Sequence, residues 1–208
     1  PNVVIHFAGS VEVEESMINP LKYYDNNIAK SIIFMKSCIN ANVENFIFSS
    51  TAAVYGFSDK KIPIKEDAYK EPQSPYGSSK LILEDLIKEV SSKFKFKSLV
   101  FRYFNVAGAD KQLRTGQIKD PATHLMKIAC EVAFGKRENI SIFGNDYSTF
   151  DGTCIRDYIH VSDLAELHLL GTEYLCNGGK SKILNCGYGK GFSVLEVIEK
   201  VKEISGNN

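Results

Sequence analysis

The chain of 208 residues sets 25 Lys and Arg against 25 Asp and Glu, so its net charge is zero, which argues against a nucleic-acid partner or an anionic membrane surface. At 44% hydrophobic it can bury one sizeable core, or one and a fraction, and no apolar run reaches the ~18 residues of a membrane-spanning helix. Five cysteines without a Cys-x-x-Cys, and four histidines without zinc-ligand spacing, predict free thiols in a reducing cytoplasm and no metal.

Val3-Val4-Ile5-His6-Phe7 reads as a buried parallel strand, with the small residues Ala8-Gly9 at its carboxyl end. Asn19 caps and Pro20 starts a long helix to Ile39, with Leu21, Tyr24, Ile28, Ile32, Met35 and Ile39 as its apolar stripe. Phe46-Ile47-Phe48 is a second strand, and Ser49-Ser50-Thr51 follows it directly. Gly56, Ser58, Asp59, Pro63 and Pro72 mark a loop. Ser74 then caps a helix from Pro75 to about Phe94, striped by Leu83, Leu86, Ile87, Val90 and Phe94. Residues 98–104 read as a strand that Asn105 ends.

From Lys111 the pattern changes. Residues 112–120 are polar, and Leu125, Ile128, Ala129 and Val132 mark a helix. Residues 140–143 and 155–161 read as strands, and Ser162 as the cap of a helix to about Leu175. Residues 183–186 read as a further strand, and Ser193 with Glu196 as a capping box. Gly187-Tyr188-Gly189-Lys190-Gly191-Phe192 fails the dinucleotide fingerprint at its third glycine and reads as a turn into that last helix. The expected fold is α/β, a doubly wound parallel sheet with a smaller C-terminal region.

The chemistry-bearing pattern is the Thr51 strand end together with Ser74-Pro75-Tyr76-Gly77-Ser78-Ser79-Lys80. Tyr76 and Lys80 are four apart and share one helix face. A hydroxyl, a phenol and an ammonium converging at a strand end suit proton abstraction from an alcohol. Free tyrosine titrates near pH ~10, and a neighbouring ammonium lowers that value. Tyr-x-x-x-Lys alone is weak, and a surface pair on a helix is the plainer reading.

With His6-Phe7-Ala8-Gly9, residues 20–27, Arg102-Tyr103-Phe104-Asn105, residues 142–147 and residues 156–161, these stretches run nearly end to end. The chain resembles the extended short-chain dehydrogenase/reductase family of NAD-dependent epimerases and dehydratases. The resemblance implies a Rossmann-like sheet whose first strands and glycine loop lie in two βαβ units upstream, so the chain is expected to be an internal fragment, inactive by itself. Residues 1–110 are then the second half of the NAD-binding domain, and 111–208 an interleaved, incomplete nucleotide-sugar region.

The resemblance also assigns roles. Thr51, Tyr76 and Lys80 are catalytic. Phe7, Ala8, Gly9, Ser10, Val11, Asn26, Ser49, Tyr76, Lys80 and Phe104 contact NAD, and Thr51, Asn105, His124, Phe143 and Arg156 contact a UDP-sugar. Val11 stands where some members carry lysine, and His124 where many carry asparagine. Arg156 suits bidentate pairing with a diphosphate, or an ion pair with Asp157 or Asp163. Phe143 suits stacking on uracil, or a core. Asn26 is otherwise a helix-flank residue and Asn105 a turn residue.

The implied reaction interconverts UDP-glucose and UDP-galactose through a 4-keto sugar. Ala52-Ala53 after Thr51 have no proton to exchange, which disfavours the family's 4,6-dehydratases. A non-catalytic dinucleotide sensor would lack the tyrosine and lysine. The resemblance further implies a homodimer through helices 20–39 and 75–94, whose Ile33, Phe34, Leu81 and Ile82 lie off the main stripes.

Overall fold

Four parallel strands carry the first part of the molecule: β1 (Val3–His6), β2 (Asn45–Thr51), β3 (Lys97–Tyr103) and β6 (Lys182–Cys186), in that spatial order. The computed structural model describes residues 1–56 and 63–206; the turn expected at Ser58 and Asp59 lies outside them. Two compact units share the chain, one of residues 1–103 and 166–186, the other of residues 104–165 and 187–208.

In the first unit, β1 leads through α1 (Val13–Ile18), α2 (Pro20–Tyr23), a π-helical turn (Tyr24–Ala29) and α3 (Lys30–Asn40) to β2. A short 3₁₀ turn (Ala52–Val54) and α4 (Pro75–Lys93) lead on to β3. Phe46, Phe48 and Val100 pack with Met35 and Cys38 of α3 and Leu83 and Ile87 of α4 in one buried cluster. Each such side chain contributes about 1.5–3 kcal/mol of burial. On the other face Phe101 meets His168 of α6 (Val161–Cys176) edge to face at 5.1 Å. Helices cover both faces of a parallel sheet, so the expected doubly wound α/β fold is the one observed.

The long helix expected from Pro20 to Ile39 is interrupted. Its most buried residues are Tyr23, Asn27, Ser31, Met35 and Cys38; of the expected stripe Met35 is in the core and Ile28 and Ile39 pack against it, while Leu21 is 78% exposed. The π-turn changes the angular step, so a 3.6-residue period drawn through it lies beside the most buried line instead of on it. The second helix begins as expected: Pro75 is its first residue and Ser74 Oγ accepts the Gly77 N–H at 3.1 Å. Phe94, by contrast, is an exposed C-cap residue.

The second unit has a three-stranded sheet, β4 (Asn105–Ala107), β5 (Ile155–His160) and β7 (Gly191–Ser193); β4 runs parallel to β5, and β7 antiparallel. α5 (Leu125–Ala133) and α7 (Val194–Ser205) pack together, and α7 opens with the expected Ser193–Glu196 capping box. Three expectations fail here. Asn105 starts β4 instead of ending a strand. Residues 140–143 join no ladder among the described residues, having no partner strand to take their backbone bonds. Ser162 lies inside α6, and His160 Nδ1 accepts its N–H at 3.1 Å in the capping role. No described helix is long and apolar enough to cross a membrane, and no described His, Cys, Asp and Glu cluster into a metal site. All five cysteines are free.

Candidate active site

The sheet of the first unit ends its strands on one side, as parallel strands must, and β2 ends in Ser49-Ser50-Thr51. α4 starts against that end. A Cβ on Gly77 would stand 2.7 Å from the Ala53 carbonyl oxygen, so only glycine lets the helix come this near the 3₁₀ turn. The close approach brings the Tyr76 phenol near enough to Thr51 for the hydroxyl to favour the phenolate. Thr51 Oγ1 also accepts the Ala53 N–H at 3.1 Å, which fixes its rotamer.

One turn along α4, buried Lys80 donates from Nζ to the Ser49 carbonyl at 2.8 Å and lies 4.9 Å from the Phe48 ring centre. Burial brings its pKa down to about 8, because a low-dielectric site disfavours the cation. Burial pushes Tyr76 up, against the lowering effect of Thr51, and Glu12 adds to the rise. In the protein alone, desolvation outweighs the groups around the phenol, and the one that favours the phenolate is Thr51.

The loop after β1 completes this site. Asn26 Nδ2 donates to Ser10 Oγ at 3.0 Å. Phe7 and Val11 are exposed apolar surface beside it. A Cβ on Gly9 would come within 3.1 Å of Asn27 Oδ1 and 3.6 Å of Lys80 Nζ, so the loop passes close over the lysine. Lys80 has three N–H donors, and with one on Ser49 it keeps two for the vicinal hydroxyls of a ribose. An apolar loop, a small-residue crossing and a buried ammonium fit the nicotinamide riboside half of NAD. Periodicity missed Asn27, which the structure buries beside Asn26; a second adjacent carboxamide at the π-turn was the available signal.

In the second unit, Asn105 lies opposite Tyr158 in the β4–β5 ladder, near enough to its phenol to lower its pKa. Burial raises Tyr158, while Asn105 and the charge of Arg156 lower it. Arg156 is exposed, its guanidinium donating to its own neighbour's carbonyl, Ile155, at 3.0 Å. No ion pair joins it to Asp157 or Asp163 among the described residues. Asp157 instead accepts the N–H groups of Tyr188 and Gly189 at 3.0 and 2.7 Å. Phe104, between β3 and β4, is half-buried. His124 is the N-cap residue of α5, makes no side-chain cap, and its Nδ1 lies 2.7 Å from Gln117 Nε2. Phe143 is 86% exposed and so available to stack on a planar ligand, not part of a core. The structure thus groups Asn105, Tyr158 and Arg156, while no hydrogen bond or ring contact brings His124 or Phe143 to them among the described residues.

Residues 1–187 match the NAD dependent epimerase/dehydratase family. The chain is 51% identical over 205 residues to the UDP-glucose 4-epimerase of Azospirillum brasilense, covering 99% of this chain and 59% of that relative. The crystal structure of UDP-glucose 4-epimerase from Brucella ovis in complex with NAD superposes with a TM-score of 0.93 at 40% identity, over 98% of this chain and 62% of that one. The Thermotoga maritima UDP-glucose 4-epimerase with UDP-glucose gives 0.86 at 30% identity, over 100% and 62%. The chain spans about three fifths of the length of the relatives it matches.

Proposed function

The chain belongs to the NAD dependent epimerase/dehydratase family, and from that we propose that this protein interconverts UDP-glucose and UDP-galactose with NAD as its cofactor. The observation that carries the reading is the close approach of α4 to the end of β2 at Gly77, which sets Tyr76 by Thr51, with Lys80 buried one turn along the same helix. NAD held by Lys80 and the Phe7–Val11 loop would supply reversible hydride acceptance from C4 of the sugar. Tyr76 removes the proton of the 4-hydroxyl and later gives it back. Thr51 holds that hydroxyl in line with the phenol. Lys80 holds the ribose, and Phe7, Ala8, Gly9, Ser10, Val11, Asn26, Ser49 and Phe104 line the cofactor. Asn105, His124, Phe143 and Arg156 bind the nucleotide sugar, with Arg156 on the diphosphate and Phe143 on the uracil ring.

Ala52 and Ala53 follow Thr51 at the site and carry no acid or base, which disfavours a 4,6-dehydratase. Free thiols and a balanced charge suit a cytoplasmic enzyme. Exposed Ile33, Phe34 and Ile82 on α3 and α4 suit a homodimer built on the two helix faces.

The test is to supply the NAD-loaded enzyme with either UDP-hexose and follow both by chromatography. The expected result is the same equilibrium mixture from either side, with no net NADH. A dehydrated 4-keto sugar as the product would overturn the reading.

A further inference from the structure

The glycine-rich run 187–192 lacks the third glycine of a phosphate loop, yet its backbone holds an anion that the chain itself supplies. Asp157, on β5, presents both carboxylate oxygens to consecutive main-chain donors. Oδ1 accepts the Tyr188 N–H at 3.0 Å and Oδ2 accepts the Gly189 N–H at 2.7 Å. Gly189 has φ +71°, the left-handed conformation that brings neighbouring N–H groups together. Amides arranged in this way form a nest for an anion, and a carboxylate that accepts two of them makes charge-assisted bonds.

The turn is held at two more points. Tyr188 accepts the His160 N–H on its phenol oxygen at 3.2 Å and donates its hydroxyl proton to Asp163. Asp157, His160 and Asp163 thus gather the turn against the end of β5 and the start of α6. Arg156 and Asp157 are adjacent in a strand, so their side chains leave opposite faces. One face carries the exposed guanidinium, the other the carboxylate in its nest. A Cβ on Gly187 would stand 2.6 Å from Asp157 Oδ2 and 3.1 Å from Phe104 Cδ2, so carboxylate, turn and ring meet where only a glycine fits.

We propose that Asp157 is a positioning residue: its carboxylate fills the 187–189 nest and so fixes the turn that backs Phe104, the ring assigned to the cofactor. Asp157 touches no reacting atom and acts through the main chain of Tyr188 and Gly189. The catalytic consequence rests on the assignment of Phe104 to NAD. The nest itself does not.

Amide hydrogen exchange on the chain tests the nest. Asp157→Ala should speed exchange of the Tyr188 and Gly189 amides by about tenfold, because their acceptors are gone. The amides of Ile198 and Val201 inside α7 should stay within about twofold. Asp157→Asn keeps one acceptor oxygen, so it should protect one of the two amides only, and it serves if the alanine variant does not fold. Formate carries the two oxygens of the missing side chain. Added to Asp157→Ala it should restore protection of both amides, where chloride at equal ionic strength does not.

Kinetics of the NAD-loaded enzyme test the consequence. Asp157→Ala should lower kcat by about tenfold with KM for the UDP-sugar within about threefold, and formate should return most of the lost kcat. Unchanged exchange in the turn, or exchange raised equally in α7, overturns the nest. Protection that formate fails to restore, or that chloride restores as well, overturns it too. Unchanged kcat in an active enzyme overturns the positioning role. A parent enzyme that epimerises nothing while the two amides behave as expected overturns the proposed activity and leaves the nest standing.

Discussion

Lys80 and Glu84 stand one turn apart on α4, each 2% exposed, and they take different partners. Lys80 has the Ser49 carbonyl. Glu84 receives Arg102 through two nitrogens, Nε at 3.0 Å and Nη2 at 2.6 Å, and the Ser50 hydroxyl at 2.5 Å. Arg102 also donates from Nη1 to the Tyr55 phenol at 2.6 Å and the Glu66 carbonyl at 2.9 Å. Arg102 thereby occupies the carboxylate that an i+4 lysine would otherwise claim. The lysine stays a buried cation facing a neutral carbonyl, with a depressed pKa as the result.

That depression makes the lysine a cost to stability at neutral pH. Its folded value of about 8 lies below the ordinary 10.5, so the unfolded chain holds the proton more tightly. The penalty is full below pH 8 and fades as pH rises towards 10.5. Lys80→Met should therefore be more stable than the parent at pH 7 by up to about 3 kcal/mol, and inactive. Urea titrations from pH 7 to 10 should show the advantage shrinking with pH. An advantage that stays constant would remove this account.

Arg102 and Glu84 test a different balance. Arg102→Met leaves a buried carboxylate alone and should cost about 3–5 kcal/mol in urea unfolding. Replacing Glu84 with leucine as well should recover much of that loss. A double variant no better than the single one would mean that Tyr55, Glu66 and Ser50 depend on the pair for their own bonding.

Tyr76→Phe removes only the ionisable oxygen. In the NAD-loaded enzyme kcat should fall by about 10²–10⁴, with calorimetric affinity for UDP-sugar near the parent's. Turnover within about tenfold of the parent, about 1.4 kcal/mol of barrier, would assign the proton transfer elsewhere.

Gly77→Ala puts a methyl group 2.7 Å from a backbone oxygen that cannot swing away. The expected loss is about 1–3 kcal/mol, with turnover reduced because α4 must back off from Thr51. Thermal melts and steady-state rates read both. An unchanged kcat would separate the placing of Tyr76 by Thr51 from the helix approach.

Ile33, 64% exposed, and Ile82 lie on the helix faces proposed for self-association. Light scattering should give a dimer for the parent and a monomer for Ile33→Glu with Ile82→Glu, since an isologous interface buries each charge twice. A dimer that survives both charges would place the interface on another face.

Where the fold was legible, the signal was local. The short apolar run at Phe46–Phe48, the Ser74-Pro75 start and the Ser193–Glu196 box each state their own structure within a few residues; the run at Val3–Phe7 announces a strand too, but β1 stops at His6, its only buried residue, and Phe7 is exposed. The π-turn was illegible because its effect on phase shows only in tertiary contacts, and Asn27 was missed with it. The run at 140–143 has strand composition but no neighbour to pair with among the described residues, and composition cannot supply one. Of the candidate site, the Thr51, Tyr76 and Lys80 set was readable from spacing and resemblance. The Arg102–Glu84 pair was not, because its members lie on separate elements that only folding joins.

β6 closes the first unit by pairing Leu99 with Lys182 and Tyr103 with Cys186, after the chain has passed through most of the second. On a ribosome, β1 to β3 would emerge and wait with the far side of β3 bare until residue 186 is made. Such long-range closure is slow, and an unpaired parallel strand is the kind of surface that chaperones bind. For this chain spatial order and chain order part company: β3 is completed by a strand that follows an excursion through the second unit.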